Sequence, residues 1–409
     1  MRKSPVILQV FLMMLAGMFL TATAWAASRT PAKSSKSQVS ESPSAQKRMS
    51  RMRHSRRVAG HRRRVAGHRR RRHHRRRLQR YFTSSFSADV TSGDVTAGEN
   101  PLVRAAAVEA LGNMNGTVVA IDPLNGRVLT MVNQSLALSE GAQPCSTFKL
   151  AVALAALNEK IVDSDTELPF GRGRRRWSIN MTRAIAVSNN TYFETLGRKL
   201  GFERVSSYAR QFGLGELAGY NIQGEHLGEF PEEPLPARRG GVGKMCSYGE
   251  GISMTPLQLG AMVSAIANGG TLFYLQHPRT AEAAAAFRPK VKRQLDIAPL
   301  IPELHGGMLG AVQFGSARSL RYNFSEEEVL GKTGTCSSNG TRYGWFASYA
   351  NTDAGRIVLV VFLRGGRPTF GPKAAEIAGR IYRNLYDHSF FAAAAPVQTG
   401  TSTPASASQ

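Results

Sequence analysis

Three short constellations in the chain have the residue types and spacing for nucleophilic chemistry. Ser146-Thr147-Phe148-Lys149 sets a hydroxyl and an amine three residues apart, at the start of an apolar run that ends at Leu157. If that run is a helix, three residues make nearly one turn and both side chains share a face. A hydroxyl attacks only with a base beside it, and a Lys can be that base only if burial or a nearby cation lowers its pKa. A helix N-terminus would also favour negative charge developing at an attacked carbonyl. Ser188-Asn189-Asn190 adds a second hydroxyl and a side-chain amide just before a predicted helix at Thr191–Leu200. Lys332-Thr333-Gly334-Thr335 falls on a predicted strand, with Lys332 and Gly334 on one face and Thr333 and Thr335 on the other. Gly334 would let another backbone approach closely.

Taken singly, each constellation has a plain alternative. Ser146 reads equally well as an N-cap followed by a surface Lys, and Ser188 as part of a helix cap. Ser44-Ala45-Gln46-Lys47 repeats the first spacing, and Ser178 and Ser337 also begin Ser-x-Asn. Lys-Thr-Gly occurs once, and the order of the three decides between the readings. Ser-x-x-Lys, then Ser-x-Asn, then Lys-Thr-Gly resembles the penicillin-binding proteins and class A β-lactamases. The resemblance extends over residues 98–388. Asp122-Pro123-Leu124-Asn125-Gly126 is similar to the family's opening hairpin turn, and Ser188–Phe193 to its middle motif in a transpeptidase. Tyr248–Leu259 is similar to the segment leading into a late helix, with Glu250 where Gln is commoner. The 42 residues from Ser146 to Ser188 are few for this family, so some helical material near the cleft is expected to be missing.

This resemblance implies a set of roles. Ser146 would be the nucleophile, Lys149 its base, and Ser188 the group that passes the proton to the leaving amine. Asn190 would bind the substrate amide. Lys332, Thr333 and Thr335, with Gly334 between them, would hold a terminal carboxylate, and the N–H groups of Ser146 and Thr335 would form an oxyanion hole. The substrate would be a peptidoglycan stem peptide ending in D-Ala-D-Ala, with β-lactams as mimics and no metal or cofactor. Resemblance to class A serine carbapenemases further implies a disulfide between Cys145 and Cys336, leaving Cys246 as a buried free thiol. Two other readings share the acyl-enzyme: a serine β-lactamase and a β-lactam sensor. A class A enzyme needs a Glu-x-x-Leu-Asn loop, and the nearest stretch, Glu232-Glu233-Pro234-Leu235-Pro236, lacks the Asn. A class D enzyme needs an apolar residue where Asn190 stands.

Periodicity supplies elements to carry these residues. A helix is expected at 102–111, a hairpin at Thr117–Ile121 and Arg127–Val132, and helices at 146–157, 204–212, Pro256–Ala267 and 372–385. Three strands are expected at Val329–Cys336, Gly344–Tyr349 and Ile357–Leu363, and a surface loop at 219–243. The order implies an α+β fold: a five-stranded antiparallel sheet flanked by helices, plus a mostly helical lobe.

The ends differ from this middle. Arg2 and Lys3, an uncharged stretch from Val6 to Leu20 and Ala24-Trp25-Ala26 read as a signal peptide or anchor over 1–26. Either form would export the rest, to the periplasm or the outer face of the cytoplasmic membrane. Residues 27–97 read as a disordered basic tether and 389–409 as a disordered tail. Of the chain's 53 Lys and Arg, 17 lie between residues 47 and 80 with no acid among them, so the net charge of +25 is concentrated there. Arg-Arg-Val-Ala-Gly-His-Arg occurs at 56–62 and again at 63–69. Anionic lipid or wall polymer is the partner expected for 47–80. No nucleic acid is expected, because no folded reader accompanies the tract. The five His of that region sit among Arg residues that repel cations, so they do not read as a metal site.

Overall fold

The structure, a computed structural model, describes residues 81–352 and 355–391. The expected signal peptide or anchor over 1–26, residues 27–80 of the expected tether, with Ser44–Lys47 among them, and residues 392–409 of the expected tail lie outside the described residues.

Helix α1 (Pro101–Leu111) leads into strands β1 (Gly116–Asp122) and β2 (Arg127–Val132). Asp122 closes the hairpin turn by accepting the Leu124 N–H at 2.9 Å, and Gly126 takes a φ of 79°. After a 3-10 turn at Cys145–Phe148 come α2 (Lys149–Asn158), α3 (Met181–Ala186), α4 (Asn190–Leu200), α5 (Phe202–Gln211), α6 (Gly241–Tyr248), α7 (Pro256–Ala267) and α8 (Ile301–Gln313). Strands β3 (Val329–Ser338), β4 (Thr341–Thr352) and β5 (Gly355–Gly365) follow, then α9 (Gly371–Asp387). The five strands form one antiparallel sheet in the order β2-β1-β5-β4-β3, which leaves β3 on an edge.

The middle strands are apolar at nearly every position because both faces are covered. Val119, Ile121, Val358, Val360 and Phe362 face one core with α2 and α7. Val118, Ala120, Ile357, Leu359, Val361 and Leu363 face a second core with α1 and α9. Every residue of α7 is buried, as suits a helix that is apolar all round. A capping box between Thr255 and Gln258 fixes its start. Gly260 brings α7 close to the sheet, since a Cβ there would lie 2.4 Å from Ile121 Cδ1.

Four features depart from the sequence expectation. Residues within 81–97, assigned to the tether by the sequence, pack on the domain. Asp94 holds Arg104 at 2.7 Å and accepts the N–H groups of Asn133 and Gln134, while Val90 joins the second core. The segment is held by buried polar contacts, which leave no apolar period to read. Helix α8 was not expected. Its glycines let it lie against α3, where a Cβ at Gly307 would come within 2.8 Å of Ile185 and one at Gly310 within 3.1 Å of Ala186. The expected loop at 219–243 gives way at Gly241 to α6. At the other end, Phe390 and Phe391, placed in the tail by the sequence, pack against the second core.

Candidate active site

The site starts from two residues with left-handed backbone. Cys145 has φ 54° and Ser188 φ 57°. Such positions cost about 1–3 kcal/mol for a non-glycine residue and persist only where the surroundings hold them. Cys145 is held by a disulfide to Cys336, with Cα atoms 5.6 Å apart. Gln143 reinforces the turn: its carbonyl accepts the Trp345 indole N–H at 3.0 Å, and its amide donates to the Tyr248 carbonyl at 2.8 Å. Edge strand β3 docks directly on this turn. A Cβ at Gly334 would lie 2.9 Å from the Pro144 carbonyl oxygen, so the close approach needs glycine.

Ser146 and Lys149 fall on the 3-10 turn and the first residue of α2. Side chains three apart eclipse in a 3-10 turn, so the two share a face. Ser146 is buried, with 8% exposure, and Lys149 is fully buried, which removes the reading of a cap followed by a surface Lys. The Lys149 ammonium donates to Asn190 Oδ1 at 2.7 Å, to the Ser188 carbonyl at 3.0 Å and to Ser188 Oγ at 3.3 Å. From the other side, Lys332 Nζ donates to Ser188 Oγ at 2.8 Å and to the Thr333 carbonyl at 3.1 Å. One hydroxyl therefore sits between two buried lysines. Burial holds the Lys149 pKa well below its ordinary value, the charge of Lys332 lowers it further, and Glu194 opposes both. Burial alone brings Lys332 down to about 7. A buried amine of lowered pKa can take a proton near neutrality.

The cap of α4 is Asn189, whose side chain accepts the Tyr192 N–H, so Ser188 and Asn190 are free for the cleft. Asn190 Nδ2 donates to Tyr248 Oη at 3.0 Å.

Period-two alternation holds along β3. Lys332, Gly334 and Cys336 face the nucleophile's turn. Thr333 and Thr335 face the other way: Thr333 Oγ1 lies 2.6 Å from Ser316 Oγ, and Thr335 Oγ1 accepts the Gly371 N–H at 2.8 Å. The lysine and the two threonines thus act at different places. Ser146 is the second residue of its helical run, so its N–H has no intrahelical acceptor. The edge strand carrying Thr335 leaves alternate N–H groups unpaired. These are the features an oxyanion hole uses.

Sequence reasoning missed Ser316, Gln143 and the contact made by Tyr248. Tyr248 stands in a recognisable segment, but nothing in the sequence marks Ser316, whose backbone is placed by a bond to the Ala186 carbonyl. Glu232 is 87% exposed and pairs with Arg210, so its carboxylate is engaged on the surface. The direct Lys149–Asn190 bond also leaves no apolar shelter of the class D kind. Cys246 is free and buried, against Gly197 of α4, and burial raises its thiol pKa. Among the described residues no group of His, Cys, Asp and Glu could hold a metal ion.

Comparison with known proteins gives the same motifs a family. A family model described as the penicillin binding protein transpeptidase domain matches residues 116–387. Stage V sporulation protein D of Bacillus subtilis is 29% identical over 317 residues, covering 65% of this chain and 48% of that protein. The peptidoglycan D,D-transpeptidase MrdA of Acinetobacter baumannii is 25% identical over 355 residues, covering 68% and 52%. The chain thus spans about half the length of these relatives. Among solved structures, the D,D-transpeptidase domain of a peptidoglycan glycosyltransferase from Eggerthella lenta aligns with a TM-score of 0.56 at 20% identity, over 71% of this chain and 82% of that one. Pseudomonas aeruginosa PBP2 in complex with WCK 5153 gives 0.56 at 21%, over 71% and 77%. The match runs from the first sheet strand to the last helix and takes in all three motifs, and on that ground the chain belongs to the penicillin-binding protein transpeptidase family.

Proposed function

We propose that the protein is a serine D,D-transpeptidase that forms an acyl-enzyme on Ser146 from stem peptides ending in D-Ala-D-Ala. The observation that carries this is Ser188 Oγ held between Lys149 and Lys332, with Lys149 one turn on from Ser146 in the same helical run. Ser146 Oγ attacks the carbonyl carbon of the penultimate D-Ala as Lys149 Nζ takes its proton. The N–H groups of Ser146 and Thr335 receive the developing oxyanion. The C–N bond then breaks, and the leaving amine takes a proton through Ser188 Oγ. Asn190 orients the substrate amide by exchanging its present partners. The hydroxyls of Thr333 and Thr335 hold the terminal carboxylate, while Lys332 holds Ser188. An amine acceptor then attacks the ester, whereas attack by water would give carboxypeptidase activity. A β-lactam acylates the same serine.

A labelled penicillin tests this. It should mark the protein at Ser146 and persist for many minutes, because the Glu232 stretch lacks the Asn of a water-activating loop. Ser146→Ala should lose the mark. Equal labelling of the variant would remove Ser146 from the reaction, and rapid turnover of a chromogenic β-lactam would favour the β-lactamase reading.

Export to the periplasm or the outer face of the membrane is part of the proposal. It rests on the apolar N-terminus and on a disulfide that suits an oxidising compartment. So is attachment of residues 47–80 to anionic lipid or wall polymer, which rests on their charge alone.

A further inference from the structure

A short hairpin between α2 and α3 carries charge that the site does not use. Its strands, Leu168–Phe170 and Trp177–Ile179, are paired with Phe170 opposite Trp177. The turn between them reads Gly171-Arg172-Gly173-Arg174-Arg175-Arg176, and every residue of it is exposed. Left-handed backbone at Gly171 folds the turn back tightly, since a Cβ there would lie 2.1 Å from the Arg175 carbonyl oxygen. The four guanidinium groups make no ion pair or hydrogen bond among the described residues. Asp163 and Glu167, in the segment leading in, are taken by Thr166 and Ser178, and neither they nor Asp165 pair with an arginine of the turn. The rings of Phe170 and Trp177 stack with centroids 4.6 Å apart, yet Trp177 stays 42% exposed. In water this arrangement is costly, because like charges crowd one turn and apolar ring surface stays wet.

A surface of anionic phospholipid relieves both costs. The guanidinium fork matches phosphate oxygens. An indole beside it settles at headgroup level, with its ring in the apolar boundary and its N–H toward water. A soluble polyanion would use the arginines and leave Trp177 uncovered. We propose that residues 171–177 are a docking loop for a bilayer surface that carries anionic phospholipid. Four charges alone give an attraction only on the order of millimolar, so the loop acts on a chain already held by residues 47–80. In that respect the inference rests on the attachment proposed above. A tether limits how far the domain strays, whereas the loop sets how the domain is turned. Ile179 at the foot of the hairpin is buried, and Asn180 at once caps α3 by accepting the Arg183 N–H. The six residues of α3 rise about 9 Å toward the turn that holds Ser188, so a short helix joins the docking loop to the site.

The test uses the full chain with Trp25→Phe, so that only Trp177 and the buried Trp345 fluoresce as indoles. The probes are vesicles of phosphatidylglycerol and phosphatidylcholine, with and without brominated acyl chains, and soluble polyphosphate. On the anionic vesicles Trp177 emission should shift to the blue and be quenched by the brominated chains. Trp177→Phe should lose both signals and still sediment with the vesicles. Replacing Arg174, Arg175 and Arg176 together by Ser should lower the quenched fraction, as for a contact weakened about 10- to 100-fold, while sedimentation through 47–80 persists. Penicillin labelling of both variants should match that of the parent, which separates lost docking from lost folding. Sedimentation of the parent with no change at Trp177 would overturn the loop and leave the attachment of 47–80 standing. Equal quenching in the triple variant would overturn it, as would a shift with polyphosphate and none with vesicles. No sedimentation of the parent at low salt would overturn the attachment of 47–80 and the loop with it.

Discussion

At the residue scale, the proposed chemistry depends on two amines whose burial disfavours a proton on both. Lys149 and Lys332 are fully buried and bracket Ser188 Oγ from opposite sides. Desolvation disfavours each ammonium, and the charge of Lys332 adds to the effect on Lys149. In the proposed mechanism Lys149 can serve as a base only when neutral. The acylation rate should therefore rise with pH as Lys149 loses its proton, with an acid limb well below the ordinary Lys value of 10.5. Lys332→Met removes the like charge, so the Lys149 pKa should go up and the acid limb should move to higher pH. Because Lys332 titrates near 7, the difference between the two enzymes should be largest below neutrality, where Lys332 is charged. A pH profile of acylation by labelled penicillin reads this directly. A limb in the same place for both enzymes would mean that Lys149 is not the base. Much of this pairing was legible, because Ser-x-x-Lys on a helix and Lys-Thr-Gly on a strand fix which side chains share a face. The division of labour along β3 was not. Period two puts Thr333 and Thr335 opposite Lys332, but only the position of Ser316 and Gly371, far apart in sequence, reveals what meets those hydroxyls.

At the element scale, the proposed oxyanion hole depends on how β3 meets the turn that begins at Cys145. Two devices fix that contact. Gly334 allows the backbone of Pro144 to come close, and the Cys145–Cys336 bridge ties the turn to the strand just beyond. Gly334→Ala would set a Cβ 2.9 Å from the Pro144 carbonyl oxygen and 3.3 Å from Cys145 Cβ, so strand and turn must separate. Acylation by penicillin should fall about 10- to 100-fold, as for a misplacement approaching 1 Å, while circular dichroism stays near that of the wild type. The bridge closes 191 residues, and replacing both cysteines by Ser should cost about 2–4 kcal/mol in denaturant unfolding. A non-reducing peptide map should link 145 to 336 and leave 246 free. Three free thiols in protein isolated from cells under thiol-blocking, non-reducing conditions would contradict this. The elements themselves were readable where apolar period and motif agree, as at β2 and α7, whose predicted and observed bounds coincide. They were not where glycine carries the packing, as in α8, or where buried ion pairs replace apolar contacts, as at Asp94 and Arg104.

At the scale of the whole molecule, charge and catalysis occupy different parts of the chain. Residues 47–80 hold 17 Lys and Arg without an acid, and the three motifs lie wholly within 146–335. Among the described residues, those that carry the site make two hydrophobic cores. Electrostatic attraction to an anionic surface is worth about 1 kcal/mol for each basic residue near it and decays over a Debye length. Even a fraction of 17 such residues would hold the protein on a membrane or wall polymer at low salt. The attraction should then collapse as the Debye length shortens from about 10 Å at 0.1 M salt to about 3 Å at 1 M. Sedimentation with vesicles containing anionic lipid should show strong binding at low salt, little at high salt, and none to neutral vesicles. Deleting 47–80 should abolish the binding without changing the rate of penicillin acylation, because no residue of the site comes from that segment. If the deleted protein still bound, the attachment would have to come from the apolar N-terminus or from the folded unit. Salt dependence separates these, since an apolar contact strengthens or holds as salt rises while a charge contact weakens.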